Sequence, residues 1–298
     1  MIPNVRMADD HRIDPDDAGQ RLDRYLRKLM PRATLAHVYK LIRKGRVRIN
    51  GARGKPDTRL GAGDLVTMQV GDELLAVPTP GPVAPAGDVA ASLPVLHEDD
   101  DLLVVDKPAG LAVHAGSGVG SDHLVARILA YLGEGQARAF RPAPAHRLDR
   151  GTSGAVLVGK SGRGLRGLTR LLREGHVEKH YDAVVCGRLP ASRGRFTEPI
   201  DGKPADTSWE CVARSGDHAL LRVRIATGRR HQVRIHFAAA GASVLGDRRY
   251  HGRPAARLML HAAELALPHP VSSLALAIVA PVPDDFLAEL SRHGMRLP

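Results

Sequence analysis

The sequence predicts an α+β protein built from two units, and three observations carry that prediction. A run rich in proline, glycine and alanine, PTPGPVAPAG from Pro78 to Gly87, resists both helix and sheet and separates a small unit from a larger one. The small unit shows helical spacing followed by short strands. In the larger one, buried-strand runs and helical stripes mix without a strict strand–helix alternation, which argues against a doubly wound sheet. The resulting division is 18–75, a linker over 76–92, and 93–298.

In the first unit, Leu22, Leu26, Leu29 and Met30 share one helix face, while Arg24, Arg27 and Lys28 lie elsewhere on that helix. Pro31 stops it. Thr34 caps a second helix, whose stripe is Leu35, Val38, Leu41 and Ile42 and whose end falls at Gly45. Lys40, Arg43, Lys44 and Arg46 form a cluster of one sign. Val47 and Ile49 lead into an Asn50–Gly51 hairpin turn, and Leu65 to Val70 is a further strand. The first dozen residues read as a loose tail.

In the second unit, Leu102 to Val105 is a continuous apolar run, the pattern of a strand buried on both faces. Ser121 or Asp122 caps a helix carrying Leu124, Val125, Ile128 and Leu129. Ala155 to Val158 is another buried strand. Leu165, Leu168, Leu171 and Leu172 stripe a helix that ends near Gly175, with Arg163, Arg166, Arg170 and Arg173 on its other side. After the Thr227–Gly228 turn, alternation predicts a strand. His231, Val233, Ile235 and Phe237 point one way on it; Gln232, Arg234 and His236 point the other.

The 43 Lys and Arg against 32 Asp and Glu leave a net charge of +11, with a pI near 10.2. Such an excess points to phosphate-rich polymers or anionic membrane surfaces as partners. No segment reaches the ~20 apolar residues needed to span a bilayer. The N-terminus lacks the apolar stretch of a signal peptide. Cys186 and Cys211 make neither a disulfide framework nor a metal motif, so the expectation is a reducing, cytoplasmic setting. His231 and His236 would face opposite ways on a strand, and neither HExxH nor CxxC occurs. GKSGRGLRG, from Gly159 to Gly167, lacks the order of a phosphate-binding P-loop. No metal, cofactor or nucleotide is therefore expected. Without coiled-coil heptads, a monomer is the default.

The most informative segment is AHRLDRGTSGAVLVGKS, Ala145 to Ser161. It sets Asp149 between Arg147 and Arg150, before a Gly-Thr-Ser-Gly turn and a buried strand. Flanking cations favour an ionised carboxylate, and a turn backed by a rigid strand is a common seat for a catalytic group. A surface Arg–Asp ion pair at a turn fits the same local composition.

Two resemblances extend this reading. RLDRYLRKL (Arg21 to Leu29) and VYKLIRKGRVRINGARGKPDTRLGAGDLV (Val38 to Val66) resemble the S4 RNA-binding domain. HRLDRGTSG closely resembles the signature of the RluA-type pseudouridine synthases. DKPAGLAVH (Asp106 to His114), KHYDAVVCG (Lys179 to Gly187), TGRRHQVRIHFAAAGASVLGDRRY (Thr227 to Tyr250) and RLMLHAAELALPHP (Arg257 to Pro270) match further family segments in order. The resemblance implies a catalytic domain with a mixed, largely antiparallel sheet, flanking helices and a central cleft. It implies isomerisation of uridine in RNA, with Asp149 catalytic, Tyr181 the active-site tyrosine and Arg234 ion-paired to Asp149. It also implies that Arg147 holds the RNA where the target base has left its stack. Lys107, Arg229, Lys40, Arg43, Lys44 and Arg46 complete the expected RNA-binding set. VHAGSG and RKGRVRING resemble most the members acting on 23S ribosomal RNA, so that RNA or a large-subunit precursor is the expected partner. A tRNA substrate, or a non-catalytic S4-type ribosome assembly factor, is the alternative.

Overall fold

Leu22, Leu26 and Met30 have no exposed surface, and neither do Val38, Val66 and Met68, so the helical stripes of the first unit do close a core. The computed structural model describes residues 9–13, 15, 17–30, 33–70, 93–116, 119–133, 140–189 and 191–297. The expected linker over 76–92 and the helix stop at Pro31 lie outside them. Two compact units result, residues 1–87 with 137–141 and residues 88–136 with 142–298.

In the first unit, strand β1 (Asp9–Arg12) precedes helices α1 (Leu22–Leu29) and α2 (Leu35–Arg43). Strands β2 (Val47–Ile49), β3 (Ala52–Arg53) and β4 (Leu65–Met68) complete an antiparallel sheet in the order β1-β4-β2-β3. Thr34 caps α2 as expected, its Oγ1 accepting from the His37 amide at 3.3 Å. Of the tail expected over the first dozen residues, 1–8 lie outside the described residues and the rest is strand β1. Asp9–Arg12 pairs with β4, and the chain is anchored there by the buried Ile13, whose amide donates to Asp64 O at 2.7 Å.

The second unit runs β5 (Val95–Glu98), β6 (Leu102–Lys107), α3 (Leu124–Tyr131), β7 (Ala143–Pro144), β8 (Ser153–Gly159), α4 (Gly162–Glu174) and β9 (Glu178–Gly187). It continues with β10 (Arg193–Phe196), β11 (Thr207–Ser215), β12 (His218–Ile225), α5 (Gln232–Ala239), β13 (Ala242–Val244), β14 (Leu260–Pro268), β15 (Ala275–Val279) and α6 (Asp284–Arg292). The sheet order is β10-β11-β12-β9-β14-β8-β6-β5, with β13 on β9, β15 on β14 and β7 on β8. Every described pairing is antiparallel except β8 with β14. This mixed, largely antiparallel sheet with helices against it is the α+β class read from the sequence.

The continuous apolar runs in β6 and β8 are explained by cover on both faces. Leu103, Val105, Val156 and Val158 belong to one apolar cluster, and Leu102, Val104, Ala155 and Leu157 to another. Helix α4 opens on Ser161, which accepts from the Gly164 amide at 2.9 Å, and closes on Gly175 in the left-handed conformation. Its four arginines are exposed. The cap of α3 is His123, whose Nδ1 accepts from the Ala126 amide, rather than Ser121 or Asp122; Asp122 instead pairs with Arg127.

The strand expected over 231–237 is helix α5. The alternation of Val233, Ile235 and Phe237 fits a strand, but Gln232, Val233, His236 and Phe237 are the buried residues, the i, i+1, i+4, i+5 spacing of a helix face. The two periods cannot be told apart over so few residues. What breaks the extended path is the turn before it. Gln232 Oε1 accepts from Thr227 Oγ1 at 2.7 Å and from the Arg229 amide at 3.0 Å, and His231 turns left-handed at φ 56°.

Candidate active site

Asp149 stands on a tight turn just before β8, closed by the Thr152 amide donating to Asp149 O at 3.1 Å. Behind the turn, β8 and β14 run in parallel contact at Gly154–Ala262. Gly154 has φ +113°, and a Cβ there would lie 2.2 Å from Ala262 O, so the Gly-Thr-Ser-Gly sequence ends in the residue the contact demands. His146 ties the near side of the turn, its Nε2 accepting from the Leu157 amide at 3.0 Å; burial lowers this imidazole to about 4, so it stays a neutral acceptor.

The carboxylate borders a cavity of about 410 Å³ lined by Arg147, Tyr181, Arg229, His231 and Arg234 among others. Arg234, on the first turn of α5, donates from Nη1 to Asp149 Oδ2 at 2.9 Å. The expected ion pair is therefore present, delivered by a helix and not by a strand. The rest of the guanidinium belongs to Asp247, with Nε to Oδ2 at 2.7 Å and Nη2 to Oδ1 at 2.8 Å. Asp247 is fully buried and also accepts from the amides of Arg249 and Tyr250. Gly246 before it is forced: a Cβ there would lie 1.9 Å from Arg257 O.

The electrostatics follow from this chain of contacts. Burial opposes the charge on Arg234, but the hydrogen bonds to Asp247 and Asp149 outweigh it and hold the guanidinium above its ordinary range. Burial likewise works against ionisation of Asp247, and Arg234 with the two amides more than compensates, keeping that carboxyl below its usual value. Tyr181 is buried on β9 in the apolar cluster under the cavity. Desolvation, reinforced by Asp149, pushes its phenol well above the ordinary range, so it presents a neutral ring and O–H. The Tyr250 ring lies under Arg234, with Cζ 5.1 Å from the centroid.

Of the residues expected to contact RNA, Arg147 is exposed at the cavity and Arg229 is half-buried there, bracing Pro204 O through Nε at 2.8 Å. Lys40, Arg43, Lys44 and Arg46 are exposed on the first unit. Lys107 is a correction: it has no exposed surface and cannot reach a phosphate. Its Nζ donates to the carbonyls of Leu111 at 2.8 Å, Pro108 at 2.9 Å and Arg150 at 3.3 Å, tying the DKPAG loop to the residue after Asp149. The reading also missed Asp247 and Tyr250, although both stand in the GDRRY segment, where an acid between a glycine and two arginines was the available signal.

A family model for RNA pseudouridylate synthase matches residues 101–239, and one for the S4 domain matches residues 20–66. The chain is 35% identical to ribosomal large subunit pseudouridine synthase C of Escherichia coli O157:H7, over 95% of this chain and 94% of that protein. It is 34% identical to the protein of the same name from Vibrio cholerae, over 91% and 92%. Among solved structures, it is similar to human RNA pseudouridylate synthase domain containing 1, with a TM-score of 0.55 and 26% identity over 67% of this chain and 86% of that one. Human RNA pseudouridylate synthase domain containing 4 shares the fold at a TM-score of 0.59 and 24% identity, over 69% and 94%. Among the described residues, no helix is long and apolar enough to cross a membrane. The chain belongs to the RNA pseudouridylate synthase family, with an S4 domain ahead of its synthase domain.

Proposed function

We propose that this chain converts specific uridines of 23S ribosomal RNA to pseudouridine, with Asp149 as the catalytic residue, acting in the cytoplasm as a monomer. The observation that carries the assignment to Asp149 is its carboxylate at the cavity wall, fixed through Oδ2 by an arginine that is itself locked by buried Asp247. The ribosomal substrate is supported by relatives named for the large subunit that match this chain over nearly its whole length.

A glycosidic bond inside a stack is out of reach, so the target uridine is swung into the cavity, at a cost of a few kcal/mol. Arg147 at the rim holds the vacated position. Tyr181 supplies the flat apolar surface against which the base lies. Arg234 holds Asp149 in place through Oδ2, leaving Oδ1 to face the nucleoside. Lys40, Arg43, Lys44 and Arg46 hold RNA by its phosphates, which gives affinity without base reading.

The test incubates the protein with unmodified 23S transcript and, separately, with bulk tRNA, and maps pseudouridine by carbodiimide labelling and primer extension. New stops in 23S rRNA are expected, with Asp149→Asn reduced by roughly 10³-fold or more. Stops confined to tRNA overturn the substrate. Stops that persist with Asp149→Asn overturn the catalytic assignment.

A further inference from the structure

The two oxygens of Asp149 are treated differently. Oδ2 is hydrogen-bonded to Arg234. Oδ1 faces His231 Nε2 at 3.6 Å, too far for a hydrogen bond. His231 is placed there at some conformational expense. It is a non-glycine residue in the left-handed region, and its other ring nitrogen, Nδ1, lies 2.9 Å from the Tyr250 hydroxyl. Only 12% of its side chain is exposed.

We propose that His231 is a positioning residue that carries away, through Asp149, the proton released in the isomerisation, with Tyr250 fixing its tautomer. This rests on the reading of Asp149 as the catalytic residue. With its proton on Nδ1, the imidazole donates to the Tyr250 oxygen and turns the Nε2 lone pair toward Asp149. A lone pair opposite a carboxylate oxygen stands off until a proton bridges them, which accounts for the 3.6 Å gap.

The reaction needs such an acceptor. C1′–N1 breaks and C1′–C5 forms, C5 gives up one proton, and N1 takes one from water, with no change in oxidation state. Asp149 Oδ1 removes the C5 proton, Nε2 of His231 takes it, and the imidazolium releases it to water, restoring both groups. The charged and titratable neighbours of His231 are Asp149 on the turn before β8, Arg230 on its own loop, Arg234 on α5, and Arg249 and Tyr250 on the turn after β13. Burial lowers its pKa; Asp149 pulls the other way, and the three arginines add to the lowering, so a neutral acceptor at pH 7 is the result.

The experiment measures single-turnover modification of the RNA that accepts the mark, 23S transcript or tRNA, as a function of pH. His231→Asn is chosen because asparagine tolerates the left-handed conformation. In the native enzyme the rate constant declines as the imidazole protonates, below the ordinary histidine value. His231→Asn is expected to lower it about 10-fold at pH 7.5, to abolish that acid limb, and to leave RNA affinity within about 2-fold. Tyr250→Phe keeps the ring against Arg234 and is expected to shift the limb. A native rate and limb in His231→Asn, or a defect in affinity alone, overturns the proposal. Should His231→Asn fail to fold, an unmoved limb in Tyr250→Phe overturns it. Asp149→Asn run in parallel separates the two readings. If it stays active, the catalytic assignment falls and this inference with it; if it is inactive while His231→Asn behaves as native, only the role of His231 falls.

Discussion

Arg234, largely buried, and Lys107, fully buried, are cations that hold adjacent residues of one turn, and they do so in opposite ways. Arg234 grips the Asp149 side chain and is matched by a second carboxylate, Asp247, in two parallel hydrogen bonds. Lys107 grips the Arg150 carbonyl and is matched by two more carbonyls, with no carboxylate in hydrogen-bond contact. The guanidinium is held charged; burial drives the ammonium down to about 7, against the pull of Asp149. A planar fork that stays protonated suits bridging two acids, whereas a point charge with three N–H groups suits gathering backbone oxygens. One cation sets the orientation of the catalytic side chain, and the other sets the path of the chain that carries it.

Arg234→Lys is the sharpest way to break that contrast, and it carries the largest expected effect. An ammonium reaches one carboxylate, so either Asp149 loses its anchor or buried Asp247 is left with its charge poorly matched. Modification should fall by about 10²–10³-fold, and stability by about 2–4 kcal/mol, the latter from the buried acid. Single-turnover rates and urea unfolding measure the two. Retention of more than a tenth of native activity would show that Asp149 does not depend on bidentate support of its partner.

Lys107→Met tests the other side. Three carbonyls lose their donor, which costs about 2–4 kcal/mol in urea unfolding, while activity per folded molecule drops less than in Arg234→Lys. The pH dependence has a defined sign. The folded lysine titrates at about 7 and the unfolded one near 10.5, so between those values the unfolded chain binds more protons. Stability from this group therefore rises with pH across that window and is lowest below 7. Lys107→Met should flatten that rise. A slope unchanged by the substitution assigns it to another group.

This contrast also marks where the sequence stops being legible. The Asp149 turn was readable because HRLDRGTSG is short and distinctive enough to resemble the family signature, although its local composition alone also fits a surface ion pair. The Arg234 pair came from the resemblance as a contact but not as a geometry, since Val233, Ile235 and Phe237 alternate well enough for a strand. The helix is imposed by the Gln232 side chain capping its own turn. Lys107, expected among the RNA-binding residues, is buried instead. Nothing in the local pattern records that the carbonyls of Pro108, Leu111 and Arg150 converge on its ammonium. Asp247 had a signal, an acid between a glycine and two arginines, but the partner it holds shows only in three dimensions. Both apolar strands, β6 and β8, were legible because cover on two faces writes itself directly into composition.

Lys40, Arg43, Lys44 and Arg46 extend the comparison to cations that the fold leaves exposed. Buried cations here act on the protein; exposed ones of one sign act on the substrate. Each single change to alanine should leave unfolding within about 0.5 kcal/mol of native and the single-turnover rate at saturation unchanged. RNA affinity should fall only about 2- to 5-fold per residue at moderate salt, the smallest effect of the set. The more diagnostic quantity is the slope of log affinity against log salt, which should decrease by roughly 1 for each contact removed. Filter binding over a salt series measures it. A variant that loses affinity with no change in slope is making a contact other than to phosphate. One that loses rate at saturation couples the S4 domain to the chemical step, which would place an exposed cation in the class of Arg234 and Lys107.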